Sequence, residues 1–201
     1  MKKFKRFLFL FLLISFSNFF IQSCAISAIP KEELLFRDHY KDGLIIGSIT
    51  FPTERARFNN YHFQLYSLDN KQNTRHFNIA PQQLVKMKHN GELDNGLTYL
   101  FAIRVPVGSY ELNKISFFTN GAFVSSIGVA NTSFPFISEK GKITYFGNLF
   151  IDEYASIKEI PMIQTYQGIR DLEKFKSLYP NIEWDNPNMY SNLEVIFNSE
   201  N

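Results

Sequence analysis

The stretch Leu97-Thr98-Tyr99-Leu100-Phe101-Ala102-Ile103-Arg104-Val105 decides the fold class. Leu97, Tyr99, Phe101, Ile103 and Val105 alternate with Thr98, Leu100, Ala102 and Arg104. A period of two puts one set on each face of a half-buried β-strand. Pro106-Val107-Gly108 breaks the run, and Tyr110 to Phe118 restarts it as a second strand. Asn120-Gly121 then forms a hairpin dipeptide, because both positions tolerate positive φ. Ala122 to Val129 reads as the returning strand and Phe134 to Ile137 as a further short one.

The same patterning extends outward on both sides. Upstream, Gly43 to Phe51 places Ile45, Gly47, Ile49 and Phe51 on one face and Leu44, Ile46, Ser48 and Thr50 on the other. Pro52 ends that strand by removing a backbone donor. Tyr61 to Leu68 follows, with Tyr61, Phe63 and Leu65 on one side. Arg75 to Ala80 returns across a turn at Asp69 to Asn73. Pro81 to Lys88 reads as either a short helix or a loop. His89-Asn90-Gly91 and Asp94-Asn95-Gly96 are turn signals. Downstream, Glu139-Lys140-Gly141 is a turn. Lys142 to Ile151 is a strand with Ile143, Tyr145, Gly147, Leu149 and Ile151 on one face, and mid-strand Gly147 signals a bulge or a close approach. Phe numbers 22 and Tyr 10 in 201 residues, a composition that favours strands. The expectation is an antiparallel β-sandwich of about seven strands over Gly43 to Asp152.

Two short segments carry a family resemblance. Arg104-Val105-Pro106-Val107-Gly108-Ser109-Tyr110-Glu111-Leu112 resembles the strand-turn-strand of carboxypeptidase-regulatory-like and transthyretin-like domains. Gly141-Lys142-Ile143-Thr144-Tyr145-Phe146-Gly147-Asn148-Leu149 is similar to a later segment of bacterial lipoproteins with such sandwiches. The resemblance implies an immunoglobulin-like or transthyretin-like sandwich, and an accessory binding or structural module rather than an enzyme.

Beyond Asp152 the pattern changes. Ile157 to Tyr166 holds one edge strand interrupted by Pro161. Gly168 to Tyr179 is an amphipathic helix with Ile169, Leu172, Phe175, Leu178 and Tyr179 on its apolar stripe. Arg170, Asp171, Glu173, Lys174 and Lys176 lie opposite. Pro180-Asn181 stops it. The helix is expected to rest its stripe on the sandwich, with Trp184 in a polar loop and Leu193 to Phe197 as a final strand. The expected divisions are residues 1–23, 24–42, 43–152 and 153–201.

The first of these is an export segment. Lys2, Lys3, Lys5 and Arg6 precede an apolar run from Phe7 to Ile14, extended by Phe16, Phe19, Phe20 and Ile21. A basic head and an apolar middle make a secretory signal peptide. Ile21-Gln22-Ser23-Cys24 resembles the lipobox of bacterial lipoproteins, with Gln22 larger than the family's usual residue. The resemblance implies cleavage before Cys24, lipid such as palmitate on that cysteine, and an envelope address. Ala25, rather than Asp, after the cysteine implies the outer membrane. An ordinary signal peptide or an uncleaved anchor are the alternatives. A spanning helix needs about 20 apolar residues, and Ser15, Ser17 and Asn18 interrupt this run. Ala25 to Asp42 is a tether in which Pro30 to Phe36 reads as a short helix or an irregular spacer.

Charge and cysteine usage agree with export. Cys24 is the single cysteine, so no disulfide supports the fold and lipidation accounts for the lone thiol. Lys and Arg total 21 and Asp and Glu 19. Four of the basic residues and none of the acidic ones lie in Met1 to Ser23, so the remainder is slightly acidic. Arg55-Ala56-Arg57 and Lys86-Met87-Lys88 are too small for a nucleic-acid patch. Nucleic acid is therefore not expected as a partner.

No motif carries chemistry. Gly-x-Ser-x-Gly and phosphate-cradling glycine loops are absent from the sequence. Asp69, Asp94 and their neighbours lack calcium-loop spacing. The histidines His39, His62, His76 and His89 are too widely spaced for a zinc motif and read as surface or turn residues, although His62 and His76 fall on adjacent strands. Glu111, Asp152 and Glu153 are carboxylates without a pairing signal. The expectation is no catalytic residue, no cofactor and no metal. Cys24 is the one site, and the chain is read as a membrane-tethered module with an envelope protein or glycan as partner. The alternative is an enzyme, or a glycan- or peptide-binding protein, with a site assembled from distant residues.

Overall fold

The computed structural model describes residues 41–82, 87–120, 125–155, 162–182 and 184. Cys24, His39, the Pro30–Phe36 segment, the Asn120-Gly121 turn and the expected strand at Leu193–Phe197 fall wholly or partly outside them. Among these residues eight strands and one α-helix follow in order: β1 Gly43–Thr50, β2 Asn60–Ser67, β3 Arg75–Ile79, β4 Thr98–Val105, β5 Gly108–Asn120, β6 Ser125–Ser138, β7 Ile143–Ile151, β8 Met162–Thr165 and α1 Gly168–Leu178. They form two four-stranded sheets, ordered β4-β1-β7-β8 and β3-β2-β5-β6. The structure is mostly β, as the alternation predicts.

The inner faces of the two sheets share one core. Ile45, Ile49, Tyr99, Phe101, Leu149 and Ile151 from the first sheet meet Tyr61, Phe63, Phe77, Leu112 and Phe117 from the second. Phe63 stacks on Phe77 at 4.7 Å, and Phe77 on Phe101 at 4.8 Å, which joins the sheets through their rings. Fully burying one such side chain is worth about 1.5–3 kcal/mol. With no disulfide, this core carries the fold.

The pairing departs from a fully antiparallel arrangement at one place. β1 pairs antiparallel with β4 but parallel with β7. Alternation within a strand carries no information about the direction of its neighbour, so the expectation of an all-antiparallel sandwich is corrected there. β6 also runs as one strand from Ser125 to Ser138, where two separate segments were expected. Pro135 is tolerated because β6 is hydrogen-bonded on one side only, to β5.

A bulge in β7 changes which way its side chains face. The β1–β7 register shifts between Ile46 and Gly47, so that Ile46 pairs with Tyr145 and Gly47 with Gly147. Gly147 has φ +110°, and a Cβ on Gly47 would lie 2.6 Å from the Phe101 ring and 2.7 Å from the Gly147 carbonyl oxygen. The predicted single face Ile143–Ile151 is therefore split. Ile143 and Tyr145 point outward, while Phe146, Leu149 and Ile151 point into the shared core.

α1 lies on the outer face of the first sheet. Leu172 and Phe175 meet Leu44, Ile46, Leu100, Ala102, Ile143 and Tyr145 there. Trp184, expected in a polar loop, is 7% exposed and lies 5.6 Å from the Phe175 ring. Its indole N–H donates to the Tyr179 carbonyl at 2.9 Å. The predicted stripe is rotated in the structure. Ile169 is 73% exposed, and Asp171 is wholly buried in its place. Among the described residues, no helix is long and apolar enough to cross a membrane.

Candidate functional site

The chemistry-bearing residues gather in three places. The first lies between α1 and the first sheet. Tyr145 and Ser48 project from β7 and β1 toward Asp171 in the first turn of α1. The Tyr145 hydroxyl donates to Asp171 Oδ2 at 2.7 Å, and Ser48 Oγ lies 2.5 Å from the same oxygen. Arg170 takes the other oxygen, with Nε at 2.9 Å and Nη2 at 2.8 Å from Oδ1. Its Nη1 reaches Asp94 Oδ2 at 2.7 Å. Asn148 Oδ1, 2.8 Å from Ser48 Oγ and 2.7 Å from Thr50 Oγ1, extends the network along β1. Burying a carboxylate is costly unless it is paired and hydrogen-bonded, and here both oxygens are taken. That compensation explains why α1 turns Asp171 inward and leaves Ile169 in solvent.

The second cluster closes one end of the shared core. Glu153 follows β7 and is wholly buried, as is the side chain of His89. His89 Nε2 donates to Glu153 Oε1 at 2.9 Å. The Tyr61 hydroxyl donates to Oε2 through a short hydrogen bond. His89 Nδ1 lies 3.2 Å from the Tyr99 hydroxyl, and its ring stacks on Phe51 at 3.9 Å. Arg57 Nη1 donates to the backbone carbonyls of Glu153 and Ala155 at 2.6 and 2.8 Å. The sequence reads His89 as a surface or turn residue, and the structure corrects this. The turn containing it folds back over the sheet ends, where Glu153 supplies an acceptor.

Burial pushes the hydroxyls of Tyr61, Tyr99 and Tyr145 up from the ordinary phenol range. The Glu153 carboxylate raises Tyr61 further, and the Asp171 carboxylate does the same for Tyr145. All three phenols are therefore held as donors. A carboxylate–imidazole pair is general acid–base equipment when it can reach a substrate. Here each carboxylate oxygen already accepts a bond and the pair is sealed among aromatic rings. The arrangement ties β7, β2, β4 and the His89 turn together.

The third place is the outer face of the second sheet, which carries no helix among the described residues. His62 and Gln64 on β2 point out there, beside Asn78 and His76 on β3. His62 Nε2 lies 3.0 Å from His76 Nδ1, with the rings stacked at 4.9 Å. His62 Nδ1 lies 2.6 Å from Asn78 Oδ1. Partial burial and the charges of His62 and Lys114 lower the His76 pKa. Toward β6 the same face becomes apolar. Phe118 pairs with Ile127 and Ser116 with Val129, and Ile127 and Val129 are 67% and 46% exposed. Glu111 lies on this face opposite Tyr66 and Pro135, and is not brought to Glu153 in the core.

Sequence reasoning placed His62 and His76 on adjacent strands but missed both buried clusters. The available signal was tyrosine at the apolar-face positions of the predicted strands. A buried phenol requires a hydrogen-bond partner, so Tyr61, Tyr99 and Tyr145 each implied an acceptor in the interior.

No family model matches the chain, and no curated protein matches it. Among solved structures it is similar to a leucine-rich repeat protein from Bacteroides thetaiotaomicron VPI-5482, at 15% identity and a TM-score of 0.35. The match covers 57% of this chain and 14% of that one, so the chain spans a small part of its length. A likeness at this level carries no argument for fold or function.

Proposed function

We propose that this chain is a non-catalytic binding or structural module, held to the cell envelope by lipid on Cys24. Its body is a sandwich of the immunoglobulin-like or transthyretin-like kind. The observation that carries the reading is the open outer face of β3-β2-β5-β6. Exposed apolar residues grouped on one face, with Ile127 and Val129 beside Phe118, are the surface character of an interaction site. The enclosure of Glu153 and Asp171 supports the same reading, because their oxygens serve the fold. The basic and apolar head ending in Ile21-Gln22-Ser23-Cys24 supports the anchor, and Ala25 supports an outer-membrane address. The fold type is supported by two sheets sharing one core and by the Pro106–Tyr110 corner, where the Tyr110 hydroxyl donates to the Pro106 carbonyl at 2.9 Å.

Replacing Cys24 by Ser tests the anchor. One acyl chain holds a protein to a bilayer marginally and two hold it firmly, each buried methylene adding about 0.8 kcal/mol. The expected outcome is loss of fatty-acid labelling, with release from the membrane fraction or retention of the full precursor. Normal processing with unchanged membrane retention would show that Cys24 is not the anchor. Crosslinking on intact envelopes, comparing the native chain with an Ile127→Glu, Val129→Glu variant, tests the face. An unchanged crosslinking pattern would remove it as the contact surface.

A further inference from the structure

We propose that His62 and His76 form a binding site for a divalent transition-metal ion of tetragonal preference, copper(II) foremost, on the open face of the second sheet. The two donors come from neighbouring strands. His62 pairs with Asn78 and Gln64 with His76, so the histidines are diagonal neighbours on one face of the β2–β3 ladder. Diagonal side chains on paired strands are within reach of each other. The backbone register sets this closeness before any ion is present.

The separation of the nitrogens is that of their own hydrogen bond, and it accommodates a cis pair of metal ligands. His62 Nε2 and His76 Nδ1 are 3.0 Å apart. With metal–imidazole bonds of about 2.0–2.1 Å, an ion bound to both would subtend an angle of about 91–97°. That is a cis angle of a square-planar or tetragonal site, the geometry of copper(II) and nickel(II). A tetrahedral ion such as zinc would need the nitrogens about 3.3 Å apart at the same bond lengths. Copper(II) also stands highest among the first-row divalent ions for nitrogen donors. Binding requires His76 to give up its Nδ1 proton and take one on Nε2 through solvent, so that Nδ1 faces the ion with no net loss of a proton.

The ring of His62 is already oriented for this role. Its Nδ1 is 2.6 Å from Asn78 Oδ1, an acceptor that fixes the proton on Nδ1 and leaves Nε2 with its lone pair toward His76. A metal-binding histidine commonly donates its second N–H to such a carbonyl. His62 is half-buried and His76 exposed, so an ion has access and solvent fills its remaining positions. Lys114 opposes binding. It sits across Gln64 from His76 in the strand order, and its ammonium repels a cation.

The full-length chain, purified in detergent, tests the site by titration with copper(II) sulfate under calorimetry and electron spin resonance. One equivalent is expected to bind with a tetragonal signal split by two imidazole nitrogens, at least tenfold more tightly than zinc(II). His62→Gln and His76→Gln should each weaken copper binding tenfold or more. Asn78→Leu should weaken it by a smaller factor, and Lys114→Gln should tighten it several-fold. All four positions lie on an outer face, and unchanged circular dichroism confirms that the variants fold. Equal copper affinity in the native chain and the His62→Gln, His76→Gln double variant would overturn the proposal. So would a signal from a single imidazole, or zinc bound as tightly as copper.

Discussion

β1 and β2 are both eight-residue strands in the middle of four-stranded sheets, yet they meet different surroundings. β1 is buried along all but its last residue, because its inward face joins the shared core and its outward face lies under α1. β2 alternates buried and half-buried residues along its length. The outward residues reflect this. Leu44 and Ile46 lie under the helix, with Ser48 bonded to Asp171, while Asn60, His62, Gln64 and Tyr66 face outward on β2. A strand that is apolar on both faces belongs to a sheet covered twice. The difference shows that the first sheet is covered on both faces, whereas the second, among the described residues, is covered on its inner face alone.

The comparison is broken most severely at Asp171. Asp171→Ala strands the buried Tyr145 hydroxyl and deprives Arg170 of a carboxylate, and breaking a buried pair costs about 3–5 kcal/mol. The expected result is a matching fall in unfolding free energy in urea. A loss below about 1 kcal/mol would mean that the helix is not held by this network.

Alkaline pH sharpens the contrast. The hydroxyls of Tyr61, Tyr99 and Tyr145 have raised folded-state pKa values, so their stabilising contribution is complete below the unfolded value of about 10 and is lost as pH rises above it. Each buried phenol lowers stability by about 1.4 kcal/mol per pH unit in that range. Tyr145→Phe should reduce the steepness of alkaline unfolding by one such increment, followed through phenolate absorbance. An unchanged slope would show that Tyr145 titrates as a solvent-exposed phenol.

The smallest effect is expected on the open face. Val129→Thr, at a side chain 46% exposed, should change unfolding free energy by no more than about 0.5 kcal/mol. A larger loss, measured by the same urea titration, would show that this face is covered by something within the chain itself.

Much of this was readable from side-chain alternation. The inward residues of β1, β2 and β4 are those the period of two assigns, because a regular strand leaves no other choice. The limits of α1 were also readable from Gly168 and Pro180. The outward turn of Tyr145 relative to Leu149 was not, since one extra residue at a bulge reverses the faces without altering composition. Mid-strand Gly147 marked the place but not the consequence. The inward Asp171 was hidden for another reason. Its burial depends on Ser48, 123 positions away, and on Tyr145, 26 positions away, and no local window includes them all. His89 and Glu153, 64 positions apart, are hidden in the same way.

The parallel pairing of β1 with β7 also has a kinetic consequence. Ser48 and Asn148, joined across that pair, are 100 residues apart in the chain. Closing a loop of that length costs about 4 kcal/mol in chain entropy before any contact repays it. A chain made from its N-terminus presents β1 early, with one edge unpaired until β7 has been synthesised. Topologies dominated by such distant partners fold on the millisecond-to-second scale. A strand buried along all but its last residue in the native protein therefore waits longest for its second neighbour.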